Sequence, residues 1–137
     1  MTLEPIHPRP PQHAMPFVPG IKVRNCGTLV FLSGATASPL YHKHPHDPAE
    51  ITPPDDIREQ TRRVMENLKL VLEASGATFR DVVKVTKFLT RMEEQDEVWA
   101  VMQEYFGDHL PTSTTVEVSG LVVPGLRLEV EMIAALP

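Results

Sequence analysis

The sequence predicts a two-layer α+β domain in which two helices cover one face of a β-sheet. The chain has 137 residues and is 42% hydrophobic, which suits one compact domain of the usual size, about 100–200 residues. Short alternating segments rich in β-branched residues predict strands, and two longer segments have apolar residues at helical spacing. The predicted order is ββαβαββ, which is compatible with helices packed on a single sheet.

The chain is predicted to begin with an extended lead-in, residues 1–17, followed by a β-hairpin. Five prolines within the lead-in exclude a helix there. Residues 21–24 alternate and predict a half-buried strand, and residues 28–33 predict a second, more buried strand. The Asn-Cys-Gly turn at residues 25–27 joins them, and Gly27 is available for a positive φ.

A long loop comes next, and the remaining helices and strands follow it. Residues 36–54 contain five prolines, and a loop of this length in a small domain is more often a functional rim or lid than a simple connection. A helix then begins at Asp55 or Asp56 and ends at Gly76. The later elements are a strand over residues 81–90, a helix over 94–106, and strands over 114–119 and 126–134.

One face of the predicted sheet has no helix to cover it. That face would carry residues such as Val83, Val85 and Leu89 or, in the other register, Thr86 and Phe88. A bare and mostly apolar sheet face predicts an association surface, so we expect the chain to form an oligomer.

Composition argues against several function classes. The longest apolar runs have four or five residues, such as 132–136, which is too short for a membrane span, and no secretory leader is evident. The net charge of −5 offers no basic surface for nucleic acid or anionic membranes. The single cysteine, Cys26, cannot form an intrachain disulfide, so we expect a buried or half-buried thiol and a cytoplasmic protein.

Several segments in a fixed order resemble a known family. They are LVFLSG at 29–34, Gln60-Thr61 with Glu66-Asn67-Leu68, GATFRDVVKVTKFL at 76–89, Tyr105-Phe106, PTSTTV at 111–116 and EVEMIA at 129–134. Over roughly residues 18–135 the chain is similar to the Rid family, the YjgF-type enamine and imine deaminases. Three features resemble the 2-aminomuconate deaminase branch, namely the long loop, residues 56–62, and the spacing from PTSTTV to Pro-Gly-Leu. The resemblance implies a chorismate-mutase-like fold, a homotrimer, and ligand clefts between adjacent subunits.

The resemblance also implies a set of site residues. Family members commonly bind the substrate carboxylate with an arginine two residues after the proline of the PTSTTV motif, and that position is Ser113 here. The family cysteine position is Thr115, the second-helix asparagine and tyrosine positions hold Trp99 and Met102, and the water-positioning glutamate is kept as Glu129. A serine hydroxyl binds a carboxylate more weakly than a guanidinium fork, by roughly one to two powers of ten, so we expect an altered substrate preference.

The polar residues of the candidate site also have structural interpretations. Glu129 and Glu131 share one face of the last strand, where Arg127 could form an ion pair with a glutamate instead of leaving Glu129 free to act on water. The stretch Ser33-Gly34-Ala35 ends a strand and is compatible with a simple turn. The resemblance implies instead that its backbone groups contact the ligand, and a glycine permits that close approach.

The remaining candidates are interpreted as pocket-lining residues. Ser113 and Thr115 have the β-propensity of an ordinary strand, and no His or Lys adjacent in sequence would activate them as nucleophiles. Trp99 on a helix is typical of a core or an interface as well as of a pocket wall. We therefore expect the two hydroxyls to hold polar atoms of the substrate, and Trp99 and Met102 to form an apolar wall.

Three histidines, His42, His44 and His46, alternate in the long loop. In an extended segment all three would point the same way and could seed a metal site with Asp47. Pro45 interrupts the segment and no second cluster at ligand spacing accompanies it, so a solvated lid is favoured over a metal site.

Three functions are compatible with the sequence. The favoured one is a Rid-like hydrolase that acts on a small enamine, imine or related activated unsaturated metabolite, with Glu129 orienting or deprotonating water. No cofactor is expected, because this chemistry needs only proton transfer. The alternative is a trimer that binds a small metabolite without converting it. Ribonuclease activity, attributed to some family members, is disfavoured by the net charge of −5 and the lack of a Lys/Arg cluster.

Overall fold

The computed structural model describes residues 1–137 and confirms the two-layer α+β class. In chain order the elements are β1 (Thr2–Ile6), β2 (Gly20–Arg24), β3 (Thr28–Ala35), α1 (Ile57–Ala74), β4 (Val82–Leu89), α2 (Gln95–Phe106), β5 (Thr112–Glu117) and β6 (Leu128–Leu136). Short 3₁₀ helices at Phe79–Asp81 and Met92–Glu94 precede β4 and α2. The main sheet has the order β3-β6-β4-β5, with β5 parallel to β4 and the other pairs antiparallel. Both helices pack against one face of this sheet.

The N-terminal region differs from the predicted hairpin. The lead-in contains an additional strand, β1, which pairs antiparallel with β2 in a separate two-stranded sheet. Because β3 pairs with β6 and not with β2, the hairpin predicted for residues 21–24 and 28–33 is wrong. The positive φ in the turn, 55°, belongs to Asn25 and not to Gly27. Gly27 is needed for another reason: a Cβ there would lie 2.6 Å from the carbonyl group of Pro137.

Helix α1 begins and ends where the sequence predicted. The Asp56 side chain accepts a hydrogen bond from the Arg58 amide at 3.0 Å and caps the helix N-terminus. The helix ends at Ala74, and Gly76 follows with φ of 81°, a left-handed conformation that glycine adopts without strain. The inward face of α1 buries apolar residues that include Val64, Met65, Leu68 and Leu72.

The hydrophobic core lies between the helices and the main sheet, where 19 buried residues form one cluster. Alternate residues of β6 face the helices and are almost fully buried, namely Leu128, Val130, Met132 and Ala134. On β4, Val85 and Leu89 face the core, and Thr86 and Phe88 lie on the opposite face. Of the two predicted registers, the chain therefore adopts the one in which Thr86 and Phe88 lie on the face without helices.

The opposite face of the sheet is uncovered in the single chain. Leu29 and Phe31 on β3 are 54% and 70% exposed, and Val116 on β5 is 37% exposed. The predicted bare apolar face is present, and we call it the open face.

Two side chains of α1 hold the ends of the loop at residues 36–54. Asn67 donates from Nδ2 to two carbonyl oxygens at the start of the loop, at 3.0 and 2.8 Å. Gln60 is fully buried at the other end, where Nε2 donates to two carbonyl oxygens at 2.8 and 2.9 Å and Oε1 accepts from the Arg127 amide at 2.9 Å. The accepting carbonyls are those of Thr36 and Ser38 for Asn67, and of Pro54 and Gly125 for Gln60. Both residues belong to the motifs of the resemblance, and their role here is to anchor the loop.

Cys26 is exposed, which corrects the expectation of a buried or half-buried thiol. Its Sγ lies 3.2 Å from the carbonyl oxygen of Thr28, at the surface turn between β2 and β3.

Neither α-helix combines the length and the apolar character that crossing a bilayer requires.

Candidate functional site

Glu129 lies on the open face of the main sheet, against the backbone of β3. Glu129 belongs to β6 and lies directly opposite Phe88 of the neighbouring strand β4. A Cβ built on Gly34 would lie 3.0 Å from Cδ and 3.1 Å from Oε2 of Glu129. A larger residue at position 34 would displace this carboxylate, so Gly34 allows Glu129 to lie flat against the strand.

The surroundings of Glu129 suit proton transfer. Partial burial raises the pKa of Glu129 above its ordinary value of 4.5, and the negative charge of Glu131 raises it further. Arg127 does not pair with it, because that guanidinium binds Glu94 at 2.8 Å and the carbonyl of Asp55. The interpretation of Glu129 as half of an ion pair with Arg127 is therefore wrong. A half-buried, unpaired carboxylate with a raised pKa is a candidate general base.

A β-bulge shapes the backbone beside Glu129. Between Leu32 and Ala35, β3 has one residue more than its partner strand, so Ser33 and Gly34 together oppose a single residue of β6. A bulge leaves backbone groups outside the ladder, where a ligand can reach them. Ser33 and Gly34 are exposed, whereas Ala35 is only 7% exposed and packs in the core. The predicted contribution of Ala35 to the site is therefore limited to holding the bulge in place.

A second group of predicted residues lies on the helix side of the sheet, at its β5 edge. Ser113 and Thr115 are half-buried and face the helix layer, because they pair with helix-facing positions of β4. Trp99 on α2 is also half-buried and packs against the core cluster. Met102 is 1% exposed and lies within the core, so its predicted role as a pocket wall is wrong.

The structure adds Lys87 to this second group. Lys87 is the register partner of Thr115, and its side chain is only 8% exposed. Its Nζ lies 5.6 Å from the centroid of the Trp99 ring, within the range of a cation–π contact. Burial lowers the pKa of Lys87 below its ordinary value of 10.5. The stem of Lys87 is buried, but its Nζ still reaches solvent. No carboxylate pairs with this ammonium, which makes Lys87 a candidate anion-binding group.

The spacing of two lysines in β4 could have indicated Lys87 from the sequence alone. Lys84 and Lys87 are three residues apart in one strand, so they lie on opposite faces of the sheet. Lys84 lies on the open face, where its Nζ donates to Oγ1 of Thr114 at 2.7 Å. In either register, one lysine of such a pair has to face the helix layer.

The single chain does not bring the two groups together. Glu129 and Gly34 lie on the open face, and Lys87 and Trp99 lie on the helix face of the same sheet. Three cavities of the chain contain none of these four residues. A cavity of about 340 Å³ lies beside α1 and the long loop, and one of about 790 Å³ lies along the N-terminal segment. The third, of about 120 Å³, lies on the open face. A site that uses both groups requires a second copy of the chain.

The three loop histidines, unlike the other candidates, come together in one place. The ring centroids of His42, His44 and His46 are 4.7, 4.9 and 5.2 Å apart, and one ligand nitrogen from each ring lies within 4.8 Å of the others. Asp47 is not part of this cluster, because its Oδ1 accepts a hydrogen bond from the Ala49 amide at 3.0 Å.

Comparison with known proteins agrees with the motifs. Residues 8–136 match the family described as Endoribonuclease L-PSP. A RutC family protein of Pyrococcus abyssi is 40% identical over 126 residues, which cover 90% of this chain and 89% of that protein. The chain belongs to the Rid family.

Two further comparisons describe what this Rid protein is similar to. A 2-iminobutanoate/2-iminopropanoate deaminase of Dermatophagoides farinae is 32% identical over 129 residues, which cover 94% of the Rid chain and 92% of the deaminase. The crystal structure of YyfB, a protein of the Rid family from Yersinia pestis, has a TM-score of 0.80 at 24% identity and covers 99% of this chain and 100% of its own. The names of the relatives support a Rid-type deaminase at the level of the family, and the structural match supports the fold.

Proposed function

We propose that this Rid protein hydrolyses small enamines or imines that carry a carboxylate, in a cleft shared by two adjacent copies of a homotrimer. Glu129 of one copy positions and deprotonates water. Lys87 of the adjacent copy binds the substrate carboxylate, in place of the arginine that the family commonly has at position 113. The observation that carries the proposal is the unpaired, half-buried carboxylate of Glu129, held against Gly34 with a raised pKa.

The two-copy arrangement is supported by the position of the two groups on opposite faces of one sheet. A head-to-tail contact, in which the open face of one copy meets the β5 edge of the next, closes into a ring of three when each copy is rotated by about 120° relative to the one before it. The exposed apolar side chains of Leu29, Phe31 and Val116 would be buried by such a contact. Trp99 would then shield the Lys87 ammonium and the bound carboxylate from water.

The proposed reaction needs only water and proton transfer. An enamine first takes up a proton on carbon, and an imine takes one up on nitrogen, so that either becomes an iminium ion. The water oxygen then attacks the carbon of the C=N bond while Glu129 accepts a proton from water, which gives a neutral carbinolamine. Glu129 returns that proton to the nitrogen, the C–N bond breaks to release ammonia, and the hydroxyl loses its proton to solvent as the C=O bond forms. The products are a carbonyl compound and ammonia, and the hydroxyls of Ser113 and Thr115 complete the binding of the carboxylate.

Ammonia release from freshly generated 2-iminopropanoate tests the proposal, with 2-aminomuconate as the second substrate because of the branch resemblance. We expect the full chain to accelerate release above the spontaneous rate. Glu129→Gln should lower kcat/KM about 100-fold or more, the usual effect of removing a general base. Glu131→Gln, on the same strand face, is the matched control and should keep its turnover at pH 8. A Glu129→Gln protein as active as the wild type would contradict the proposed role of Glu129.

The same experiment separates turnover from simple binding. A metabolite-binding trimer would use the Lys87 group to hold a small acid, would be stabilised by it, and would leave it unconsumed. Lys87→Met should raise KM at least about tenfold, as expected when a charge-assisted contact is lost, with a smaller change in kcat. Lys69→Met, on the exposed surface of α1, is the control and should change neither constant.

A further inference from the structure

The loop between β3 and α1 gathers three imidazole rings that the proposed deaminase chemistry does not use. His42, His44 and His46 are separated by single residues, and their ring centroids form a triangle with sides of 4.7, 4.9 and 5.2 Å. One nitrogen from each ring lies within 4.8 Å of the other two. Zn–N bonds of about 2.0–2.1 Å place the ligand nitrogens of a tetrahedral site roughly 3.3 Å apart, so small side-chain rotations would complete the arrangement.

The hydrogen bond made by His42 leaves one of its nitrogens free for a metal. Its Nδ1 lies 2.8 Å from the carbonyl oxygen of Pro39 and donates to it, because a carbonyl can only accept. The proton is therefore on Nδ1, and Nε2 carries the free electron pair. A histidine that binds a metal usually donates its other N–H to a carbonyl or a carboxylate in this way.

The acidic groups of the loop are used for other contacts. The Asp47 side chain accepts from the Ala49 amide at 3.0 Å, and the Glu50 side chain accepts from the Lys43 amide at 3.0 Å. These contacts hold the loop in the shape that brings the histidines together. The cluster itself contains three imidazole rings and no carboxylate, a ligand set that favours zinc and neighbouring transition metals over magnesium or calcium.

We propose that His42, His44 and His46 bind one divalent transition-metal ion of the zinc class, with a remaining coordination position open to water. His44 is exposed and His42 and His46 are half-buried, so the ion would enter from solvent. Bound metal would tie together the outer part of the loop, whose two ends Asn67 and Gln60 already hold. This inference does not depend on the proposed deaminase activity.

Metal binding to the full, tag-free chain tests the proposal without an assay of turnover. After treatment with a chelator, titration with zinc chloride should show one ion per chain with micromolar or tighter affinity. Cobalt(II) chloride should give the visible absorption bands of a low-coordinate nitrogen site.

Variants locate the site within the chain. His44→Gln should weaken zinc binding at least about tenfold, and His42→Gln should do the same. His13→Gln, in the exposed N-terminal segment, is the matched control and should bind like the wild type. The absence of saturable zinc and cobalt binding to the wild-type chain would overturn the proposal, as would affinities of His44→Gln and His42→Gln equal to that of the control.

Discussion

Replacement of Lys87 by methionine should separate the role of this residue in binding from its effect on stability. The side chain is 8% exposed, and its ammonium has no ion-pair or hydrogen-bond partner. Methionine has nearly the same length and shape and removes the charge. We therefore expect Lys87→Met to be more stable than the wild type at pH 7, by up to about 1 kcal/mol, the low end of the cost of desolvating a polar group, because Nζ still reaches solvent.

The pH dependence of that difference follows from the lowered pKa of Lys87. Burial lowers its pKa below 10.5, so between the folded-state pKa and 10.5 the unfolded chain binds more protons than the native protein. The stability of the wild type therefore rises with pH across this interval relative to Lys87→Met, and the advantage of the variant should shrink as the pH approaches 10.5.

Urea unfolding at pH 7 and at pH 9.5 measures both effects, at one fixed chain concentration because subunit association contributes to stability. Lys69→Met is again the control, since Lys69 lies on the exposed surface of α1. A Lys87→Met protein that is less stable than the wild type at pH 7, or a stability difference that grows with pH, would refute the description of Lys87 as a largely buried side chain with an unpaired, partly desolvated ammonium.

Three other predictions concern the loop anchor, the open face and the candidate base. Gln60→Leu leaves three backbone groups without a partner and should lower the free energy of unfolding by at least about 2 kcal/mol in urea, whereas Gln103→Leu on the exposed side of α2 should have little effect. Phe31→Glu should reduce the mass measured by light scattering to that of the 15.3 kDa chain, and Leu70→Glu, at a residue that is 57% exposed on α1, should leave the assembly intact. Glu131→Gln should move the acid limb of the pH–activity profile to lower pH, because Glu131 raises the pKa of Glu129, and an unchanged limb would contradict this coupling.

Local sequence signals predicted the helices and most of the strands. The start of α1 follows from the Asp56 side chain capping an amide two residues away, and its end from a glycine with positive φ, so neighbouring residues determine both. The pairing of β3 does not follow from local signals. Residues 25–27 have the composition of a hairpin turn, but β3 pairs with a strand about a hundred residues further along the chain. Hydrogen bonding between distant strands overrides the local turn preference.

The sequence motifs predicted the candidate base, but they did not predict which other side chains the packing of the fold buries or leaves accessible. Glu129 was found from its position in the last motif, and the structure places it against Gly34. Met102 also occupies a motif position, but it lies on the inward face of α2 and fills the core. Lys87 lies within the motif at 76–89, but the resemblance assigns it no site role, and its importance arises because the fold places it beside Trp99 without a counter-ion.

A mixed oligomer of two impaired variants, one defective in catalysis and one in binding, tests the central claim most directly, that one site is built from two copies of the chain. Glu129→Gln keeps Lys87, and Lys87→Met keeps Glu129, so a cleft between one copy of each can contain both native groups. The two variants are co-expressed in equal amounts, and turnover of 2-iminopropanoate at a concentration well below the wild-type KM is compared with that of each variant alone and of the wild type. In a ring of head-to-tail contacts, random mixing gives both native groups to about one quarter of the clefts, so about one quarter of wild-type turnover should return. Turnover of the mixed oligomer equal to the average of the two variants would contradict the shared site.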